Sequence, residues 1–186
     1  MSESLISEMS SADECEIPVI KKVKIISENL FLISSISNVL ENLLEQNKKL
    51  KSYKTSLKKQ SSMIYSKGKK YKISIIHFLE RIFKYLHPED STIIIALILI
   101  DRLCNSKNIN LNEYNIHKII FSSFLISIKY NEDHIYSYDY YALISGISKK
   151  ELGKLEMAFL NDLNYNIFVN QEVYEKYYYY LNEDLF

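Results

Sequence analysis

Residues that interrupt helices are scarce in this chain of 186 amino acids. It has three glycines and two prolines, whereas all-β proteins need frequent turns and usually more of both residues. Hydrophobic residues make up 47% of the sequence, so the chain can bury a sizeable core. The composition therefore predicts one helical domain, with room for an N-terminal arm.

The chain also lacks an excess of charge, a set of cysteines and a long apolar run. Its formal net charge is +0 at pH 7, unlike a general nucleic-acid binder. Two cysteines give no disulfide framework and suit a reducing compartment. An acidic N-terminus does not fit a secretory signal, and the longest apolar run, residues 93–100, is far shorter than the ~20 residues of a membrane span. We therefore predict an intracellular protein, cytoplasmic, nuclear or both, without membrane contact.

The first 72 residues form three segments of different composition. Residues 1–20 are acidic, Ser-rich and aperiodic, which predicts a disordered tail. Residues 21–47 repeat apolar side chains at steps of three and four, which predicts a helix. Residues 48–72 hold ten lysines and no acidic residue. We interpret this Lys-rich stretch as a solvated linker, and the alternative is a docking patch for an acidic or phosphorylated partner.

From residue 73 onward, apolar stripes of helical period alternate with short polar joints. The second striped segment is apolar on every side from Ile93 to Ile100, and such a helix must be enclosed by other helices. We predict an all-α fold for residues 73–186, with five helices of which this second one is central, and a further C-terminal helix. Their expected positions are about 73–86, 91–105, 113–130, 138–145, 148–164 and 170–181.

An aspartate directly follows the apolar run. Asp101 is expected in the last turn of the second helix, where a carboxylate opposes the helix dipole. A carboxylate is also costly to bury without a partner. We therefore predict that Asp101 is a buried structural charge, bonded by a donor from another helix or by a free backbone N–H.

Five segments, in the family's order, resemble parts of the cyclin box. They are "ISIIHFLERIFKY", "IDRLCN", "YNIHKII", "SFLISIKYNED" and "YYALISGISKKELGKLEMAFLNDLNYNIFV". The resemblance extends over about residues 71–181 and is to the P-type cyclins, the group that includes the yeast phosphate-pathway cyclins. The chain departs from this pattern at Ser145, where the family has the first glycine of a pair. The predicted helix at 21–47 fits the extra N-terminal helix of this group.

The resemblance implies a regulatory subunit with a single cyclin box. Cyclins bind a cyclin-dependent protein kinase as a heterodimer and hold its αC helix in the active position. That position completes the Lys–Glu ion pair on which phosphoryl transfer depends. The family's two main interface residues correspond to Lys129 and Glu156, and Tyr130 and Tyr165 match flanking aromatic contacts.

For Asp101 the resemblance implies an arginine partner from the first helix of the box. By spacing, the counterpart of that arginine is near Lys72, and Arg81 is another candidate. The sequence does not decide between these two residues.

Signatures of catalysis are missing from the sequence. The four histidines show no metal-ligand spacing with cysteine or with one another, and there is no Gly-rich phosphate loop or nucleophile elbow. We therefore predict no enzyme activity, no cofactor and no metal site.

Two alternatives to a kinase regulator remain at this level. One is a cyclin-fold module that binds nucleic acid, as some transcription factors do, and its only support is the Lys-rich stretch. Because the predicted helices carry charges of both signs, we do not expect nucleic-acid binding. The other alternative is a helical adaptor that binds no kinase.

Overall fold

The computed structural model describes residues 18–49, 64–66, 70–107 and 109–182. The chain divides into two compact units, residues 1–32 and 33–186, and the larger unit contains the predicted cyclin box. All regular secondary structure in the described residues is helical. This confirms the predicted all-α fold class.

The described residues form seven α-helices and one 3₁₀ helix. α1 begins at Pro18, whose fixed φ suits the first position of a helix, so the end of the predicted tail is helical and the rest of that tail lies outside the described residues. The five helices expected for the box are α2 to α6, and α7 is the additional C-terminal helix. The bounds are α1 Pro18–Lys49, 3₁₀ Ile64–Ser66, α2 Ile75–Leu86, α3 Asp90–Lys107, α4 Ile116–Asn131, α5 Tyr138–Ser145, α6 Lys149–Asp162 and α7 Gln171–Asn182.

Short sequence signals set the ends of the box helices. Ser74, Ser137 and Ser148 precede α2, α5 and α6, and each side chain accepts a hydrogen bond from the backbone N–H three residues further on. Gly146 ends α5 in the left-handed conformation with a φ of 73°, which glycine adopts without steric cost. Gly146 therefore ends α5 and Ser148 caps the start of α6 two residues later. The two helices pack against each other.

The centre of the core is shared by two helices. α3 is buried from Ile93 to Ile100 except at Ile95, and α4 is buried at every position from Ile116 to Ile128. Small residues allow the two helices to meet, since the Ser123 hydroxyl donates a 2.5 Å hydrogen bond to the Ala96 carbonyl oxygen. The sequence predicted α3 as the least exposed helix, and α4 is enclosed over a longer stretch.

Tyr65, in the 3₁₀ helix, ties the Lys-rich stretch to α6. Its side chain is buried, and its hydroxyl donates a 3.0 Å hydrogen bond to Asp162 Oδ2. The ring meets Phe159 edge to face, with centroids 6.4 Å apart. Burial first, and the Asp162 carboxylate second, raise the pKa of Tyr65. Tyr65 is thus a buried anchor within the stretch that was interpreted as a solvated linker. Residues 50–63 and 67–69 lie outside the described residues, so for them the linker stays a prediction.

We expect Tyr65→Phe to lower the free energy of unfolding by about 1–2 kcal/mol, because it removes the donor to Asp162 and keeps the ring. Urea unfolding measures the change. Tyr179→Phe is the matched control, since Tyr179 is exposed and should shift stability by less than about 0.5 kcal/mol. Equal stability of the two variants would show that the buried hydroxyl contributes nothing net.

His117, in α4, is a buried histidine enclosed by aromatic rings. It stacks on Tyr71 at 4.7 Å between centroids and meets Phe78 edge to face at 5.0 Å. Its Nε2 lies 2.9 Å from the Ile73 carbonyl oxygen, so Nε2 carries the proton of the neutral ring. Within the described residues, its buried Nδ1 has no hydrogen-bond partner. Burial is the main reason that the pKa of His117 is lowered.

The depressed pKa of His117 predicts that stability falls on acidification. Above pH 7 the ring is neutral in the folded and the unfolded chain. Below about pH 6.5 the unfolded chain takes up a proton that the folded chain resists, so up to about 1.4 kcal/mol is lost per pH unit. Urea unfolding at pH 7.5 and 5.5 should show a smaller pH dependence for His117→Gln than for the unaltered chain. The same dependence in both would assign the effect to other groups.

Candidate functional site

Lys129 and Glu156, the two interface residues implied by the cyclin resemblance, form an ion pair. Lys129 lies in the last turn of α4, where a cation is favoured by the helix dipole. Glu156 lies in α6, directly after the fully buried Leu155. The Lys129 Nζ is 2.5 Å from Glu156 Oε1, and the two side chains are 37% and 13% exposed. The packing of α4 against α6 thus places a partly buried ion pair at the edge of the core.

Tyr138, at the start of α5, completes this pair and was missed by the sequence analysis. Its hydroxyl donates a 2.9 Å hydrogen bond to Glu156 Oε2, and the Lys129 Nζ lies 5.6 Å from the centre of its ring. Burial first, and the bonded Glu156 second, raise the pKa of Tyr138, so the hydroxyl remains a donor at neutral pH. Nothing in the sequence singles out Tyr138 among the 16 tyrosines of the chain.

The two bonds fix the orientation of the carboxylate. Each oxygen of Glu156 has its own donor, from Lys129 or from Tyr138. An ammonium group carries three N–H donors, so Lys129, with its partly exposed side chain, can donate to a further acceptor outside the chain. The arrangement suits recognition of backbone carbonyl groups on a partner.

Exposed apolar side chains accompany the ion pair along the chain. Tyr130 follows Lys129 and Met157 follows Glu156, and each is about half exposed. Tyr165 lies in the turn after α6, is 57% exposed and has a φ of 58°. Large apolar and aromatic side chains around desolvated polar groups are typical of protein–protein interfaces.

Asp101 differs from its prediction in two respects. It is exposed rather than buried. It lies on the side of α3 that faces α7, and α3 continues past it to Lys107. Its bonded partner is neither Lys72 nor Arg81. The Tyr177 hydroxyl of α7 donates a 2.8 Å hydrogen bond to Asp101 Oδ2, and the prediction of a buried charge is therefore wrong.

The two expected partners are placed elsewhere. Arg81 donates a 3.3 Å hydrogen bond to the Leu143 carbonyl oxygen of α5. Lys72 is exposed. Asp101 thus connects α3 to α7 through a hydrogen bond from Tyr177, where the resemblance implied an arginine from the first helix of the box.

A cleft of about 580 Å³ lies between α1, α3 and α7. Leu40, Leu97 and Leu181 contribute to its apolar lining, and Cys104 faces it. Burial first, and Asp101 second, raise the pKa of the Cys104 thiol to about 12. The thiol is therefore protonated at neutral pH and is a weak nucleophile.

In the described ranges of the chain, no group of three or more His, Cys, Asp or Glu side chains could hold a metal ion. None of the helices in the same ranges is both long and apolar enough to cross a membrane.

Comparison with known proteins gives a family match over most of the chain. The family model described as Cyclin matches residues 23–167, which include α2 to α6 and the Lys129–Glu156 pair. Cyclin-U4-1 of Arabidopsis thaliana is 30% identical over 155 residues, which cover 83% of this chain and 76% of that protein. Cyclin-U4-3 of the same plant is 30% identical over 155 residues, covering 83% of this chain and 68% of that protein. Cyclin-P3-1 of Oryza sativa subsp. japonica is 28% identical over 137 residues, which cover 74% of this chain and 54% of that protein.

Proposed function

The chain belongs to the cyclin family, and we propose from this premise that it is the regulatory subunit of a cyclin-dependent protein kinase. Its similarity to plant U- and P-type cyclins agrees with the P-type assignment made from the sequence motifs. Cyclins are regulatory proteins, so the proposal gives this chain a binding role and no catalytic step of its own. It also places the chain inside the cell, in the cytoplasm, the nucleus or both.

The observation that carries the proposal is the preformed pair of Lys129 and Glu156. The pair occupies the two positions that resemble the family's kinase contacts, and Tyr138 holds the carboxylate in place. Side chains that are already ordered lose little conformational entropy on binding. The half-exposed Tyr130 and Met157 add apolar area next to these polar anchors. A kinase helix placed here would meet an apolar surface with two polar contacts at its edge.

We propose that this surface binds the kinase αC helix and holds it in the active position. In that position the helix glutamate pairs with the lysine that orients ATP. The cyclin then acts as a ligand that binds the active conformation more tightly and shifts the kinase population towards it. A shift from 1:99 to 99:1 needs a preference of about 10⁴-fold for the active state, or about 5.5 kcal/mol.

The test is a titration of the purified chain against each cyclin-dependent kinase encoded in the same genome. We expect one or more kinases to form a 1:1 heterodimer and to gain activity on a peptide substrate. Absence of binding by all of them would contradict the proposal. Binding without activation would retain the partner and reject the αC mechanism.

The nucleic-acid alternative has little support in the described residues. Of the Lys-rich stretch, Lys70 forms an ion pair with Glu113, and Lys48 lies 3.3 Å from Glu45. Acidic neighbours weaken the local positive field on which phosphate binding depends. A DNA titration at low salt, run beside the kinase titration, is the control for this alternative.

A further inference from the structure

One guanidinium group of α3 holds the segment that connects α6 to α7. The Arg102 Nη1 donates to the Asn166 carbonyl oxygen at 2.6 Å and to the Phe168 carbonyl oxygen at 3.1 Å. It also lies 3.5 Å from the Asn166 side-chain oxygen. The carbonyl oxygens of Asn166 and Phe168 thus face the same nitrogen atom, so one side chain binds both.

The backbone N–H groups of residues 164–167 donate to carbonyl oxygens of residues 160–165, so the turn itself is bonded locally. The bonds from Arg102 come from another helix and extend to Phe168, beyond these local bonds. Asn164 and Tyr165 both adopt the left-handed conformation, with φ of 50° and 58°, which costs non-glycine residues on the order of 1 kcal/mol each. Residues 166–170 have no regular secondary structure. Tyr165 and Phe168 are 57% and 66% exposed, so their burial cannot hold the segment in the free chain. The bonds from Arg102 oppose this strain.

We infer that Arg102 is a positioning residue for the kinase interface, which keeps residues 164–168 in the shape that presents Tyr165 and Phe168 to the kinase. The inference rests on the proposed function and extends the contact surface to Phe168. It also gives a role to an arginine that directly follows Asp101. The two neighbours hold different parts of the chain, since Asp101 bonds α7 through Tyr177 and Arg102 bonds the connecting segment.

The expected energetic effect comes from preorganisation. If the presenting conformation falls from nearly full occupancy to about a tenth when the bonds are lost, the apparent Kd rises about tenfold. Arginine suits this role because its planar fork can bond several carbonyls at once. A lysine at the same position has one compact ammonium group, so it should raise the Kd by less than methionine does.

The experiment is a double-mutant cycle with the kinase that binds the unaltered chain. Arg102→Met removes the donors and keeps the apolar stem. We expect it to raise the Kd about tenfold in the unaltered background and less than about twofold in the background of Tyr165→Ala with Phe168→Ala. Tyr177→Phe is the matched control, because it releases Asp101 from α7 and leaves the Arg102 bonds in place. Its Kd should change by less than about twofold.

A merely structural role of Arg102 gives a different pattern. The melting temperature would then fall while the affinity of the folded fraction stays unchanged, or the Kd would rise equally in both backgrounds, and either result overturns the inference. Normal binding by the Tyr165→Ala, Phe168→Ala variant also overturns it. If Arg102→Met does not fold, Arg102→Lys replaces it in the cycle, with a smaller expected coupling of the same sign.

Failure of the inference can be separated from failure of the proposed function. If the unaltered chain binds no kinase, both fall together. If the unaltered chain binds, Lys129→Ala weakens binding and Arg102→Met does not, then the inference alone is rejected.

Discussion

Removing either member of the Lys129–Glu156 pair is expected to weaken kinase binding about 30-fold or more, equivalent to about 2 kcal/mol. Lys129→Ala removes an ammonium that can donate to the partner, and it leaves Glu156 with Tyr138 as its bonded donor. Glu156→Ala releases both Lys129 and Tyr138 from their fixed positions. Polar anchors that lose water on binding are typical hot spots. Isothermal titration of each variant with the kinase measures the loss.

A second ion pair between α5 and α6 provides the matched control. Lys149 of α6 lies 2.9 Å from Asp139 of α5, and both side chains are more than half exposed. Exposed pairs contribute little to stability, so Lys149→Ala should leave both the affinity and the melting temperature nearly unchanged. A thermal melt beside each titration separates the two roles of Glu156. Normal affinity with a lowered melting temperature would identify its pair as structural and reject the kinase contact.

The second large effect concerns the core beneath the ion pair. Phe159 is fully buried on α6 and packs against Tyr65. We expect Phe159→Ala to lower the free energy of unfolding by about 3–5 kcal/mol, since it combines the lost transfer energy with a new cavity. Domains of this size are stable by about 5–15 kcal/mol, so the variant should be partly unfolded at moderate urea concentrations.

Met157→Ala controls for the loss of a large side chain from the same helix. Met157 is about half exposed, and its removal should change stability by less than about 0.5 kcal/mol. Urea unfolding followed by circular dichroism compares the two variants. A loss of less than about 1 kcal/mol for Phe159→Ala would show that neighbouring side chains refill the space.

The sequence was sufficient for the helices and for the two ends of the ion pair. The apolar period located α2 to α6, because this signal acts between residues close in the chain. Lys129 and Glu156 were found through the cyclin resemblance. That the two side chains meet follows from the packing of α4 on α6, which is a tertiary contact across 27 residues.

Other parts of the site could not be predicted, for physical reasons. Helical period shows which residues share a face, but it does not show which helix covers that face. The bond from Tyr177 to Asp101 spans 76 residues and the bond from Tyr65 to Asp162 spans 97. Asp101 was expected to be buried because an all-apolar run conceals which side of α3 faces outward. α7 meets that side with a tyrosine hydroxyl, which no spacing rule indicates.

The small residues between α3 and α4 restrict how this sequence can evolve. Ala96 and Ser123 are completely buried, and the bond from Ser123 to the Ala96 carbonyl brings the two helices into close contact. Much of the core consists of isoleucine and leucine, and such positions can exchange one branched aliphatic side chain for another at small cost in stability. At these two positions the limit is volume, since a larger side chain would force the two central helices apart. Mutational drift should therefore alter the outer helices sooner than this seam.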